Sequence, residues 1–448
     1  MTDPALIASQ TPPAAVPRVG GYVTALAVIV ANMVGTGVFT SLGFQVMGTR
    51  TGFALLMIWA VGGVVALCGA LSYGELGAAM PRSGGEYRYL ARIFHPAVGL
   101  LAGWVSVTVG FAAPIALAAM ALGKYAALLT GWSETVVAVA ALALVTLVHA
   151  THLAFGRVFQ VVTTAAKIAL IVGFIVLGVA TPAQSGLSFA PTVAALRELA
   201  DPAFAVSLIY VSYAFSGWNA ASYMAGEIED PQRTLPRVLL HGTALVTAMY
   251  LALNWTFLRT VPLPALAGKL EVGALSATAM VGARGGALMS GMLCILLLST
   301  VSAMAFAGPR IIHAVAEDLP ALGALARRTR GGVPRNAVLL QQLIALGFVL
   351  TGSFERVVSY AGFTLNLFTL VTVIGVYVLR RREPSLARPY RTWGYPVTPA
   401  VFIALSIWTL FFVLREKPLE SLAGLATVAL GGILLLFERR AAPTAPAS

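Results

Sequence analysis

The chain has 448 residues, 58% of them hydrophobic and 10% charged, with a formal net charge of +12 at pH 7. About a quarter of residues in soluble domains are charged, so this composition excludes a water-soluble enzyme or binding module and indicates an integral membrane protein. Nor does the basic excess indicate a nucleic-acid partner, because its residues sit in short loops between apolar stretches, where the lipid topology rule puts them.

Residues 1–20 are Pro/Ala-rich and polar, and the apolar run after them is too long for the h-region of a cleavable signal, so they read as a tail. Apolar runs of about 20 residues, the length that crosses a bilayer as a helix, then recur twelve times. They lie near 21–47, 52–79, 96–122, 134–152, 159–180, 202–226, 237–261, 280–307, 336–352, 357–379, 398–414 and 420–437. Residues 438–448 form a second tail, and no linker is long enough for a soluble domain. Of the 29 basic residues, nineteen fall in the tails and connections of one side, including Arg82, Arg88, Arg92, Arg233, Arg237 and Arg380 to Arg382. Nine fall on the other side, and Lys167 lies inside a span. The richer side faces the cytoplasm, with both termini on it. Residues 21–180 (spans 1–5) and 202–382 (spans 6–10) then run in opposite orientation and read as an inverted repeat, with 398–437 (spans 11 and 12) outside it.

Two spans carry interruptions. Asn32-Met33-Val34-Gly35-Thr36-Gly37-Val38-Phe39 lies in span 1, and Tyr213-Ala214-Phe215-Ser216-Gly217-Trp218-Asn219 in span 6. Backbone left unpaired at membrane depth is tolerated only where it is buried in protein or lines a wet cavity, and paired interruptions in matching halves mark a carrier's substrate site. A half-helix that starts after Gly35–Gly37 aims free N–H groups and the positive end of its dipole at that site, which suits a carboxylate. The Thr36 hydroxyl adds a donor. The carbonyls that end the preceding half of span 1 and the first half of span 6 suit an ammonium group. A zwitterionic amino acid is the simplest ligand.

Among the seventeen Asp and Glu residues only Glu75 and Glu227 fall near spans, both close to predicted cytoplasmic ends. A cationic substrate would want an acidic partner near the midplane, so neutral, mainly apolar side chains are favoured, with Phe215 and Trp218 as pocket candidates. Lys167 sits nine residues into span 5, about 13 Å deep at 1.5 Å per residue, where charge is costly and functional. Its ammonium can stand in for a coupling cation or lose a proton during the cycle. Cys68 and Cys294 read as small buried hydrophobes. With neither His-Glu-x-x-His nor Gly-x-Ser-x-Gly present, no enzyme is expected, and no cofactor or metal.

These residues resemble the amino acid-polyamine-organocation superfamily, above all its L-type amino acid transporter branch. The matching stretches are Gly35-Thr36-Gly37-Val38-Phe39, Tyr73-Gly74-Glu75-Leu76, Pro81-Arg82-Ser83-Gly84-Gly85-Glu86-Tyr87, Phe215-Ser216-Gly217-Trp218-Asn219, the run from Glu227 to Arg237, and Arg388-Pro389-Tyr390-Arg391. The resemblance implies an all-α membrane protein of twelve transmembrane helices in the plasma membrane. Its fold would be a LeuT-type 5+5 inverted repeat with broken helices 1 and 6 plus two extra helices, working by alternating access. It implies that Thr36 and Gly37 receive the substrate carboxylate, that carbonyls near Met33, Tyr213 and Ser216 receive the ammonium, and that Trp218 helps gate. Lys167 matches a helix 5 lysine carried by sodium-independent members, so no sodium is expected. Glu75 and Glu227 are expected to form cytoplasmic ion pairs. Thr36 stands where serine is more common and keeps the hydroxyl. Amino acid exchange is the leading expectation and proton-coupled uptake the alternative, ahead of a sensor or a channel.

Overall fold

The computed structural model describes residues 21–81, 84–151, 157–318, 323–329 and 334–441. The expected tail at 1–20, most of that at 438–448, and Arg82 and Ser83 of the Pro81–Tyr87 stretch lie outside the described residues.

Every described regular element is helical. The first apolar segment comprises α1 (Tyr22–Met33), α2 (Gly37–Thr40) and α3 (Leu42–Gly48), followed by α4 (Gly52–Ala79) and a short amphipathic α5 (Gly85–Ile93). Next come α6 (Pro96–Val105), a π-turn at Ser106–Gly110, α7 (Ala112–Thr130), α8 (Glu134–Thr151), α9 (Arg157–Ala180) and α10 (Val193–Glu198). The second half holds α11 (Pro202–Phe215), α12 (Ala220–Tyr223), α13 (Pro231–Thr260), α14 (Leu263–Leu266), α15 (Val272–Asp318), α16 (Arg335–Leu350), α17 (Phe354–Arg382), α18 (Val397–Glu416) and α19 (Pro418–Ala441). Among the described residues seven helices are long and apolar enough to cross a membrane, and five shorter apolar helices accompany them.

Local chemistry sets the helix starts. Thr51 accepts from the Ala54 N–H at the start of α4, Ser353 from Arg356 at the start of α17, and Asp201 from Ala203 ahead of Pro202 at the start of α11. Each side chain satisfies one of the orphan donors of a first turn. The span expected at 280–307 begins earlier, because α15 runs from Val272, and it is bent where Gly282 adopts φ 77°. Sequence reading also passed over α5, α10 and α14, which are too short to show as apolar runs.

At the centre, α4 packs along α13 and α7 along α15, while α1 lies on α13 and α11 on α4. Small residues let these helices close in, as is usual for helix pairs in membranes. A Cβ on Gly69 would lie 2.8 Å from the Trp218 ring, and one on Gly74 would lie 3.3 Å from the Pro236 Cα. At one end of the bundle Glu75, 1% exposed, receives Arg380 through two bonds of 2.8 and 2.6 Å and the Thr392 N–H at 2.8 Å, with Arg388 Nε 3.4 Å away. This cluster ties the loop after α17 to the end of α4. Of the two expected ion pairs it supplies the one at Glu75; none forms at Glu227 among the described residues.

Candidate functional site

Both interrupted segments are broken in the structure. Helix α1 ends at Met33; Val34 takes φ −74°, ψ 87°, and helical geometry resumes at Thr36 and Gly37. Helix α11 ends at Phe215, Ser216 takes φ −55°, ψ 143°, and Gly217 stands at φ 100° before α12 begins. That positive φ is open to glycine at no steric cost.

The two breaks seat on each other. A Cβ on Gly37 would lie 2.5 Å from the Ala214 Cα, and one on Gly217 would lie 2.8 Å from the Asn32 carbonyl oxygen. Backbone therefore meets backbone at both crossings. At Gly35 the surroundings differ, since a Cβ there would meet nothing nearer than the Met33 carbonyl oxygen at 3.9 Å. The first break thus has room for a methyl group at Gly35, at ordinary contact distance.

Polar groups converge on the same place. Thr36 Oγ1 lies 3.2 Å from the Tyr213 hydroxyl, which joins the two segments side chain to side chain. The Thr36 carbonyl accepts from Thr40 Oγ1 at 2.9 Å and from the Phe39 N–H at 3.0 Å. The N–H groups of Gly35, Thr36 and Gly37 have no backbone partner among the described residues, as expected at a helix start. On the acceptor side, the Tyr213 carbonyl takes the Ser216 N–H at 2.9 Å. The carbonyls of Met33 and Ala214 both lie within reach of the Tyr250 hydroxyl, at 2.5 and 3.2 Å. Tyr250, on α13, is a bridge that sequence reading missed: a tyrosine inside an apolar helix carries no pattern of its own.

The aromatic candidates flank the breaks inside the packed core. Phe215, 1% exposed, lies against Trp59 and Tyr250 with ring centroids 6.3 and 5.1 Å apart. Trp218, 6% exposed, meets Tyr73 edge-on at 4.7 Å. Lys167 bonds to neither break among the described residues. It is buried on α9, 4% exposed, and donates to Thr300 Oγ1 of α15 at 2.9 Å.

The two interrupted helices thus meet each other at their backbone breaks. Residues 21–434 match the amino acid permease family. The chain belongs to that family. Its relatives fall on the L-type side of the amino acid-polyamine-organocation superfamily. The serine/threonine exchanger SteT of Bacillus subtilis (strain 168) is 26% identical over 401 residues, covering 88% of this chain and 90% of the relative. The large neutral amino acids transporter small subunit 2 of Rattus norvegicus is 28% identical over 432 residues, 93% of this chain and 80% of the relative. The b(0,+)-type amino acid transporter 1 of Mus musculus is 26% identical over 432 residues, 93% and 87%. This permease is therefore a multi-pass membrane protein that transports amino acids, and not an enzyme.

Proposed function

We propose that this permease is a sodium-independent carrier of neutral, mainly apolar L-amino acids that works by alternating access and exchanges one amino acid for another across the plasma membrane. The observation that carries the reading is the seating of the two helix breaks on each other, with room for a methyl group beside Gly35. On one side of the breaks the free N–H groups of residues 35–37 and the Thr36 hydroxyl suit a carboxylate. On the other, the carbonyl ends of α1 and α11, at Met33 and around Tyr213 and Ser216, suit an ammonium. Val34, Gly37, Phe215, Gly217 and Trp218 flank the two breaks. Among the described residues one carboxylate, Glu86, bonds the far end of the second stretch at Asn219, and none bonds residues 33–37 or 213–218 beside the breaks themselves, which favours a substrate with a neutral side chain.

Helix packing supports twelve spans arranged as two inverted five-helix repeats. Such a dyad pairs span 2 with span 7 and span 3 with span 8, and it exchanges the span 1 to span 7 contact with that of spans 6 and 2. The contacts of α4 with α13, α7 with α15, α1 with α13 and α11 with α4 follow this scheme. The charge partition puts both termini in the cytoplasm. Lys167, bonded to Thr300, supplies a fixed cation between spans 5 and 8, the place that the family resemblance gives to sodium in sodium-coupled members. Exchange is favoured by the relative described as a serine/threonine exchanger, and a neutral substrate by the one described as a large neutral amino acids transporter.

The test is uptake of labelled leucine into proteoliposomes. Uptake is expected when the vesicles contain unlabelled leucine, at equal rates in sodium and choline media. Accumulation into empty vesicles driven by a sodium gradient would overturn the reading. Proton-coupled uptake is the second reading, favoured by one observation, the buried carboxyl of Glu86.

A further inference from the structure

Glu86 stands in the first turn of α5, and only 6% of it is exposed. Its Oε1 accepts the Tyr73 hydroxyl of α4 at 2.6 Å and the Asn219 Nδ2 at 3.0 Å. The Thr369 side chain of α17 also faces it. Four parts of the molecule therefore meet on one carboxyl group: α4, the amphipathic helix α5, α17, and the chain that leaves the second helix break. Tyr73 in turn carries Trp218 edge-on and Tyr89 at 6.1 Å. The carboxyl group is thus one contact away from the predicted gating aromatic.

A buried carboxylate ordinarily has a cationic partner, because leaving the charge alone costs several kcal/mol. Among the described residues Glu86 has none. The titratable groups that face it are tyrosines: Tyr73 from α4, Tyr89 from its own helix, and Tyr223 from α12. Helix α6, packed against α5, contributes no titratable side chain. The arginines of α5 are engaged elsewhere, Arg88 over the Tyr87 ring and Arg92 on Glu383. Burial pushes the Glu86 carboxyl above the usual carboxylate range, against the opposing pull of the hydrogen bonds from Tyr73 and Asn219.

We propose that Glu86 is a proton-binding site whose occupancy controls the half of span 6 beyond its break. In the charged form Oε1 grips Asn219 and Tyr73 together. Protonation moves one proton from water at the predicted cytoplasmic end onto the carboxylate and changes no other bond. Hydrogen bonds to an ionised acceptor are about twice as strong as neutral ones, so the neutral group holds Asn219 less firmly and α12 is freer to move. The inference deepens the transport reading and rests on it only for the effect on flux; the proton site itself can be tested without flux.

The experiment is a pH titration of the purified full chain by infrared difference spectroscopy, paired with leucine exchange in proteoliposomes at varied internal and external pH. The expected result is a protonated-carboxyl band that titrates above the usual range for glutamate and is absent from Glu86→Gln. Leucine exchange should then vary with pH in the wild type and lose that dependence in Glu86→Gln. Tyr73→Phe removes one donor and keeps the ring, so it should move the midpoint upward by roughly one pH unit, the worth of one charge-assisted hydrogen bond. If Glu86→Gln fails to fold, this upward shift carries the test, and an unmoved midpoint overturns the proposal. A band that survives in Glu86→Gln, or a Glu86→Gln pH profile like the wild type, also overturns it. Absence of leucine flux in every preparation, with the band present and assigned to Glu86, would instead count against the transport reading and leave the proton site standing.

Discussion

Tyr250 donates its hydroxyl to the main-chain carbonyl of Met33 at 2.5 Å, across 217 residues of sequence. The same hydroxyl lies 3.2 Å from the carbonyl of Ala214. One phenolic proton thus serves the last turn of both helices that end at the breaks. Tyr250→Phe keeps the ring against Trp59 and Phe215 and removes only that proton. A buried carbonyl that loses its donor costs about 1–3 kcal/mol, so leucine exchange should fall roughly tenfold while the protein still elutes as a monodisperse peak. Wild-type exchange rates in this variant would show that the bridge is incidental.

The two glycines of the first break should respond differently to alanine. At Gly37 the new Cβ would lie 2.5 Å from the Ala214 Cα, so backbone must shift. Overpacking of this kind costs about 1–3 kcal/mol, and Gly37→Ala should lower the thermal midpoint in detergent. At Gly35 the Cβ makes only an ordinary contact, with the Met33 carbonyl oxygen at 3.9 Å. Gly35→Ala should therefore keep wild-type thermal stability and raise the KM for leucine. Thermal melts beside uptake curves for the two variants check both outcomes.

Lys167 is buried and bonded to Thr300, where removal of the ammonium leaves a polar gap between two spans. Lys167→Ala should reduce leucine exchange at least tenfold with little change in yield or elution. A variant with wild-type uptake and wild-type pH dependence would remove Lys167 from the mechanism.

Two ion pairs give opposite expectations. Glu75 is 1% exposed between Arg380 and Arg388, and breaking a buried pair by removing one partner costs about 3–5 kcal/mol. Glu75→Gln should lower the thermal midpoint sharply. The Arg92–Glu383 pair lies at the surface, with side chains 48% and 35% exposed. Its hydrogen bond from Arg92 lowers the Glu383 carboxyl below the usual range. A carboxyl lowered on folding adds stability that is present above its unfolded pKa and is lost as pH falls through the folded one. Exposed pairs are worth about 0.2–1 kcal/mol, so Glu383→Gln should change the melt at neutral pH only slightly and still less in acid.

Much of this architecture is legible in the sequence. Gly35-Thr36-Gly37 and Ser216-Gly217 mark the breaks only as a pair: a glycine pair in one membrane helix more often signals close packing, and the second interruption in the oppositely oriented half reverses that reading. What sequence reading missed depends on contacts between distant segments. Tyr250 is one tyrosine in a helix until the fold sets it between two carbonyls. Glu86 lies in a polar stretch that reads as a solvated loop, and only the packing of α5 under Tyr73 and Asn219 buries it. Phe215 and Trp218 read from sequence as pocket walls, and the structure sets them among Trp59, Tyr250 and Tyr73. The bend at Gly282 was missed because a single glycine in a membrane helix signals close packing as often as a kink.

The central claim is that the two helix breaks hold both charged groups of one amino acid. Competition against labelled leucine uptake tests it most directly, using N-acetyl-leucine, which lacks the ammonium, and isoamylamine, which lacks the carboxylate. Leucine should compete, and each analogue should lose at least a hundredfold in potency, about 2.8 kcal/mol. Competition by either analogue at leucine's own potency would contradict the claim.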